Sequence, residues 1–213
     1  IGQNDSRSIR HAVGTIGVVA IASGMLLMLL GLIAARPILT LMGTPDDVLP
    51  MAVTYLRIYF LGIPFFLIFN FGAAILRSMG DTRRPLYILI VAGIANTIFN
   101  LFFVIVLDMS VAGVAIATGI ANALSAVLII RLLLNEKDPY KLHINKMSVS
   151  WIELKHMLEI GIPAGLQGMV FSFSNVLLQT AINSHGANAI AGSAAALNFE
   201  YYCYFVISAF NGA

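Results

Sequence analysis

Residues 85 to 107 read PLYILIVAGIANTIFNLFFVIVL, with Arg83 and Arg84 before them, Asp108 after them, and no charged side chain between. A segment crossing the ~30 Å hydrocarbon layer needs about 20 apolar residues if it is helical, because only a helix or a closed barrel satisfies its own backbone hydrogen bonds in lipid. The stretch fits one crossing. Residues 12 to 35, 58 to 76 and 109 to 130 also lack Asp, Glu, Lys and Arg, and all four tracts are 19 to 24 residues long. A fifth tract, 160 to 199, is interrupted by Asn183, Ser184, His185, Gly186, Ala187 and Asn188. That polar cluster with a glycine reads as a tight turn between two further crossings. The expectation is an all-α polytopic transmembrane bundle with six crossings. Strands of a membrane barrel would be ~10 residues long with alternating polarity, and no such alternation occurs.

Composition agrees. The chain has 213 residues, 59% of them apolar and 10% charged, where a soluble domain carries roughly a quarter charged residues. The first residue is Ile1 and Ala213 closes an apolar run, so the chain is expected to be a piece of a longer protein whose earlier crossings inserted it. Cys203 is the single cysteine, which leaves no internal disulfide.

Charge sets the expected orientation. Arg7, Arg10, Arg77, Arg83, Arg84, Arg131, Lys137, Lys141, Lys146 and Lys155 fall on one side of the six crossings, and Arg36 with Arg57 on the other. By the positive-inside rule the first side, with the N-terminus, is cytoplasmic. The net charge of +2 thus reflects topology. No basic groove interleaved with aromatics points to nucleic acid.

Helix ends carry their own signals. Thr44, Pro45, Asp46 and Asp47 suit an N-cap with acids on the positive helix end, while Pro50 predicts a separate short turn before the second crossing. Gly80 is a candidate C′ residue, and Asp81 or Thr82 with Pro85 restarts the chain as a tight hairpin. Residues 131–156 form the one extended polar stretch, expected to connect residues 1–130 (four crossings) with 157–213 (two crossings). Ser150 and Glu153 have capping-box spacing and Trp151 suits the headgroup level, so a short interfacial helix is expected there. Gly113, Ala117, Ala121 and Ser125, and likewise Ala187, Ala191 and Ala195, recur every fourth residue. Small side chains so spaced let membrane helices approach closely.

Polar residues inside the crossings are the functional candidates, because a buried amide in lipid must face protein or water. Gln167, Asn175, Gln179 and Asn183 lie at multiples of four on the fifth crossing, either lining a wet cavity for amphipathic solutes or bonding neighbouring helices. Asn96 and Asn100 lie one turn apart on the third crossing with Thr118 on the fourth. Their oxygens suit a hard cation, although neither helix supplies a carboxylate, and interhelical bonding is the plainer reading of the spacing. Glu200 is the one acid well inside a crossing, near the midplane; it either titrates or attracts cationic solutes, or it is a buried partner for a neighbour such as Asn198. Arg57 is expected to snorkel to the outer interface. His11, His143, His156 and His185 have no metal-ligand spacing and no P-loop lysine motif occurs, so neither a resident metal nor a nucleotide is expected.

Five strings carry a resemblance: MGTPDDVLPMAVTYLRIYFLGIP (42–64), LRSMGDTRRPL (76–86), ANTIFNLFFV (95–104), VAGVAIAT (111–118) and IGIPAGLQ (160–167). Together they resemble the multidrug and toxic compound extrusion family over nearly the whole chain, most specifically in the hairpin from Arg77 to Pro85. The resemblance implies twelve helices in two lobes, with this chain running from the loop after helix two through helix eight. It implies export of drugs or organic cations by alternating access against sodium ions or protons, in a cell membrane such as a bacterial inner membrane. It places Asn96, Asn100 and Thr118 among the polar groups of a first-lobe cation site, although Asn100 stands where some members carry aspartate. Gln167, Asn175, Gln179, Asn183, Asn198 and Glu200 are then expected to line the substrate cavity. A glutamate that one branch carries on helix seven has no counterpart in MVFSFSN (169–175). A lipid-linked sugar flippase of the same superfamily should show a more cationic cavity, and an intramembrane enzyme would need paired carboxylates or a metal motif; a receptor or scaffold is the remaining alternative.

Overall fold

The computed structural model describes residues 6–41, 49–137, 139–143, 148–183 and 187–211. These form six long helices: α1 (Ser6–Leu41), α2 (Leu49–Ser78), α3 (Arg83–Leu101), α4 (Ser110–Leu134), α5 (Trp151–Asn183) and α6 (Ala187–Asn211). Among the described residues there is no strand. By length and hydropathy α1 to α5 can each cross a membrane. The 25 residues of α6 reach about 37 Å at 1.5 Å per residue, also enough to cross. Six helices thus stand where six crossings are expected.

Several helix ends differ from the sequence expectation. Pro50 does not split off a turn: α2 begins at Leu49, and in the first helical turn the missing proline N–H leaves no carbonyl unpaired. The cap expected at Thr44 to Asp47 lies outside the described residues. The short interfacial helix before the fifth crossing is instead the opening of a continuous 33-residue α5. Its first turn closes with Leu154 N–H donating to Ser150 O at 2.9 Å. Glu153 is expected to accept from the Ser150 N–H, but Thr15 Oγ1 takes that bond at 3.0 Å.

The α2–α3 hairpin follows the sequence closely. Gly80 has φ +81°, Asp81 N–H donates to Leu76 O at 3.0 Å, and Gly80 N–H donates to Arg77 O at 2.9 Å. That pair of bonds is a Schellman closure, which satisfies two carbonyls that the helix end would leave open. Asp81 then starts α3, its Oδ1 accepting from the N–H groups of Arg83 and Arg84, each at 3.1 Å.

The chain divides into two compact units, Ile1–Leu154 and Lys155–Ala213. Within the first, α2 packs on both α1 and α4, and α3 packs on α4. Gly24 of α1 faces the proline turn of α2, where an added Cβ would lie 2.8 Å from Pro64 Cα. On α4 the stripe Gly113, Ala117, Ala121 and Ser125 is buried throughout, as its spacing predicts. Phe69, Leu76, Ile88, Ile129 and Leu133 build the core near the hairpin. The polar stretch 131–156 is less of a free connector than expected. Arg131 to Leu134 complete α4, Leu142 is buried against the core with its N–H on Leu133 O at 3.0 Å, and Ser150 is tied to Thr15 of α1.

In the second unit no described residue of α5 is buried. Ile160 is 75% exposed within this chain. Ala195 is exposed, whereas the side chains of Ala187 and Ala191 lie outside the described residues.

Candidate functional site

Several polar side chains of these helices bond to their own backbone. Ser23 donates to Val19 O, Thr54 to Pro50 O, Thr97 to Gly93 O, Asn70 to Phe66 O and Ser174 to Val170 O, at 2.6 to 3.0 Å. Such i to i−4 bonds satisfy the donor without help from another helix.

Asn96, Asn100 and Thr118 behave differently. Asn100 Nδ2 donates to Asn96 Oδ1 at 3.0 Å, Asn96 Nδ2 donates to Thr118 Oγ1 at 3.4 Å, and Thr118 Oγ1 donates to Val114 O at 3.0 Å. The structure therefore brings together the three residues whose spacing and resemblance suggest a cation site. Their donors run in one direction, from α3 into the backbone of α4. At the head of this relay Asn100 Oδ1 is buried and accepts no hydrogen bond among the described residues. A carbonyl in that state has two unused lone pairs, costs free energy to keep dry, and is a natural ligand for a hard cation or a donor.

Directly after this turn the helix loosens. Residues Phe102–Val106 form a π-helical turn, with Leu107 N–H reaching Phe102 O at 3.2 Å. Asp108 and Ser110 then adopt φ of 50° and 48°, a left-handed conformation uncommon outside glycine. Single π turns inside helices often lie at functional sites. Gly113 makes room for this one, since a Cβ there would approach Phe103 Cβ to 2.9 Å. No residue pattern in the sequence marks the π turn.

The expected substrate cavity has less geometry to report. Gln167 and Asn175 are exposed on α5, and Asn198 and Glu200 are exposed on α6. The side chains of Gln179 and Asn183 lie outside the described residues.

Outside the membrane helices, Asp81 carries the clearest electrostatic perturbation. Arg84 Nε donates to Asp81 Oδ2 and Arg84 Nη1 to Glu136 Oε2, the latter at 2.6 Å. The Arg84 hydrogen bonds, side chain first and backbone next, hold the Asp81 carboxyl below its ordinary range. One side chain thus links the hairpin to the end of α4.

Two of the cavities among the described residues stand out by their lining. One, of about 150 Å³, lies between α1, α2 and α4 with walls such as Ile16, Ile68, Phe71 and Ile129, all apolar. The other, of about 230 Å³, is lined by Arg36, Leu49, Pro50, Val53 and Arg57. Sequence reasoning missed this second grouping, because 21 positions separate two arginines that α1 and α2 bring to one place. Among the described residues no cluster of three or more His, Cys, Asp or Glu side chains could hold a metal ion.

Long apolar helices, close packing through small residues and a polar relay between two of them define a polytopic helical membrane protein. Its relatives say which. A profile of the MatE family matches residues 1–102. The probable multidrug resistance protein YpnP of Bacillus subtilis is 32% identical over 163 residues, which cover 76% of this chain and 36% of that protein. A FAD transporter of Shewanella oneidensis is 27% identical over 193 residues, covering 86% of this chain and 42% of the relative. The crystal structure of the Vibrio cholerae MATE transporter VcmN in its bent form superposes with a TM-score of 0.73 at 21% identity, over 92% of this chain and 47% of that one. Over residues 1–102 the chain is thus similar to the MatE family, and it spans less than half the length of these relatives.

Proposed function

We propose that this chain is the portion of a cation-coupled antiporter that holds its first-lobe ion relay, in a protein exporting drugs and other amphipathic or cationic compounds. The observation that carries the reading is Asn100 Oδ1, buried without a donor at the head of the relay through Asn96 to Thr118. Sodium could bind that oxygen directly, as hard cations bind carbonyls. A proton would need a carboxylate, which neither α3 nor α4 carries, so proton coupling would require an acid from elsewhere in the protein. Cation and drug then compete through one conformational equilibrium, each shifting it only by its differential affinity for the two states. Gln167, Asn175, Gln179, Asn183, Asn198 and Glu200 are the proposed cavity lining, and the face with few positive charges is the proposed exterior of a bacterial inner membrane.

The test uses the complete protein in proteoliposomes. An imposed sodium or proton gradient should accelerate ethidium efflux, with Asn100→Ala removing the acceleration and Glu200→Gln weakening transport of cationic substrates over neutral ones. Efflux indifferent to both gradients would end the coupling proposal, and unaltered transport in either variant would remove that residue's assignment. The Shewanella relative favours a second reading in which the cargo is a phosphate-bearing solute. Uptake assays with FAD against ethidium separate the two.

A further inference from the structure

We propose that Arg36 and Arg57 form a seat for a phosphate ester anion at the lipid headgroup level, filled by a membrane phospholipid. This does not rest on the efflux reading. The two arginines come from different helices and line one cavity of about 230 Å³ with Leu49, Pro50 and Val53. A water molecule's share of liquid volume is about 30 Å³, so the space admits a phosphate with part of its hydration.

Depth argues for lipid. Arg57 and Arg77 bracket the uncharged stretch of α2 at a spacing of 20 residues, which is about 30 Å of helix and matches the hydrocarbon thickness. Arg36 follows the 24 uncharged residues 12–35 of α1, which span about 36 Å and bring it out to the same boundary. Both guanidinium groups therefore lie where phosphodiesters lie, on the membrane face opposite the α2–α3 hairpin.

Charge gives the sign of the ligand. Neither arginine side chain has a hydrogen bond or ion pair among the described residues. Two positive groups lining one cavity repel each other until an anion joins them. Guanidinium presents its donors as a planar fork that fits phosphate oxygens in pairs, which lysine cannot reproduce. Leu49, Pro50 and Val53 supply apolar walls for the glycerol and upper acyl carbons.

The experiment compares the complete protein in nanodiscs of phosphatidylglycerol and of a galactosyl diacylglycerol, which has no phosphate, by native mass spectrometry after release. Wild type should retain phosphatidylglycerol preferentially. Arg36→Gln with Arg57→Gln should cut that retention by about tenfold, the size of losing one or two charge-assisted hydrogen bonds. Arg36→Lys with Arg57→Lys should fall between, because charge remains while the fork is lost. Phenylglyoxal labelling of Arg36 and Arg57 separates the sources of phosphate. Protection by phosphatidylglycerol but not by millimolar inorganic phosphate supports the lipid, whereas equal protection by phosphate in galactolipid discs overturns the lipid as occupant and leaves a site for phosphate-bearing solutes. Retention unchanged in a double-glutamine variant that elutes and melts like wild type overturns the seat altogether.

Discussion

Asn100 combines a donor in use with an acceptor left dry, and the two halves of one side chain make opposite predictions. Thr118→Val removes the acceptor of Asn96 Nδ2 and should destabilise the protein by about 1 kcal/mol, the usual scale for an interhelical polar contact in a membrane protein. Asn100→Leu removes the orphaned oxygen together with its own donor, so the two changes offset and stability should move by less than about 1 kcal/mol. Coupling should nevertheless disappear in Asn100→Leu. Thermal melting in detergent with the gradient assay alongside checks both, and a large loss of stability in Asn100→Leu would mean that its oxygen has a partner in the intact protein. The three residues were legible in the sequence because amides one turn apart share a helix face and the strings around them resemble a known family. The unpaired state of Asn100 Oδ1 was not, since it depends on how α3 and α4 settle against each other rather than on any spacing.

At the scale of helices and their junctions, the α2–α3 hairpin was the most legible feature and the π turn the least. A glycine followed by an acid and a proline dictates its conformation locally, and Gly80 with φ +81° confirms it. Gly80→Ala should cost about 1 kcal/mol, because a Cβ crowds the following carbonyl in that conformation, and a thermal shift assay reads it. The Asp81 clamp adds a pH dependence of fixed sign. Its carboxyl is held below the ordinary value by the Arg84 hydrogen bonds, so its stabilisation is complete above the unfolded carboxyl's pKa, about 3.9, and is lost as pH falls through the lower folded value. Melting of wild type and Asp81→Asn should therefore differ at neutral pH and converge in acid. A gap that widens on acidification would contradict the clamp. The π turn escaped reading because nothing in LFFVI departs from an ordinary apolar helix; it arises where Phe103 meets Gly113 across the α3–α4 contact. The continuous start of α5 escaped for a similar reason, since the acceptor for Ser150 N–H comes from Thr15, 135 residues away.

For the whole molecule, the number of helices followed from uncharged length and the family resemblance from a few strings, but the attachment of the polar stretch to α1 and α4 did not. A polar stretch invites the reading of a free connector, and residues 131–156 have that composition. The first compact unit runs to Leu154; within it Leu142 is buried on the α4 end and Thr15, itself fully buried, holds Ser150 just before α5. Thr15 Oγ1 serves three partners at once: it lies 2.8 Å from His11 O, 3.4 Å from Ser148 O and accepts from Ser150 N–H at 3.0 Å. One hydroxyl thus ties Ser148 and Ser150 to α1. Thr15→Val keeps the shape of the side chain but removes every one of these bonds, leaving Ser150 N–H without its acceptor at a cost of about 1 to 3 kcal/mol. A spin label at Val149 in the complete protein should report slow, restricted motion in wild type and fast motion in Thr15→Val, while a label on Leu128 in α4 should not change. Equal mobility at Val149 in both proteins would show that the hydroxyl does not hold the segment.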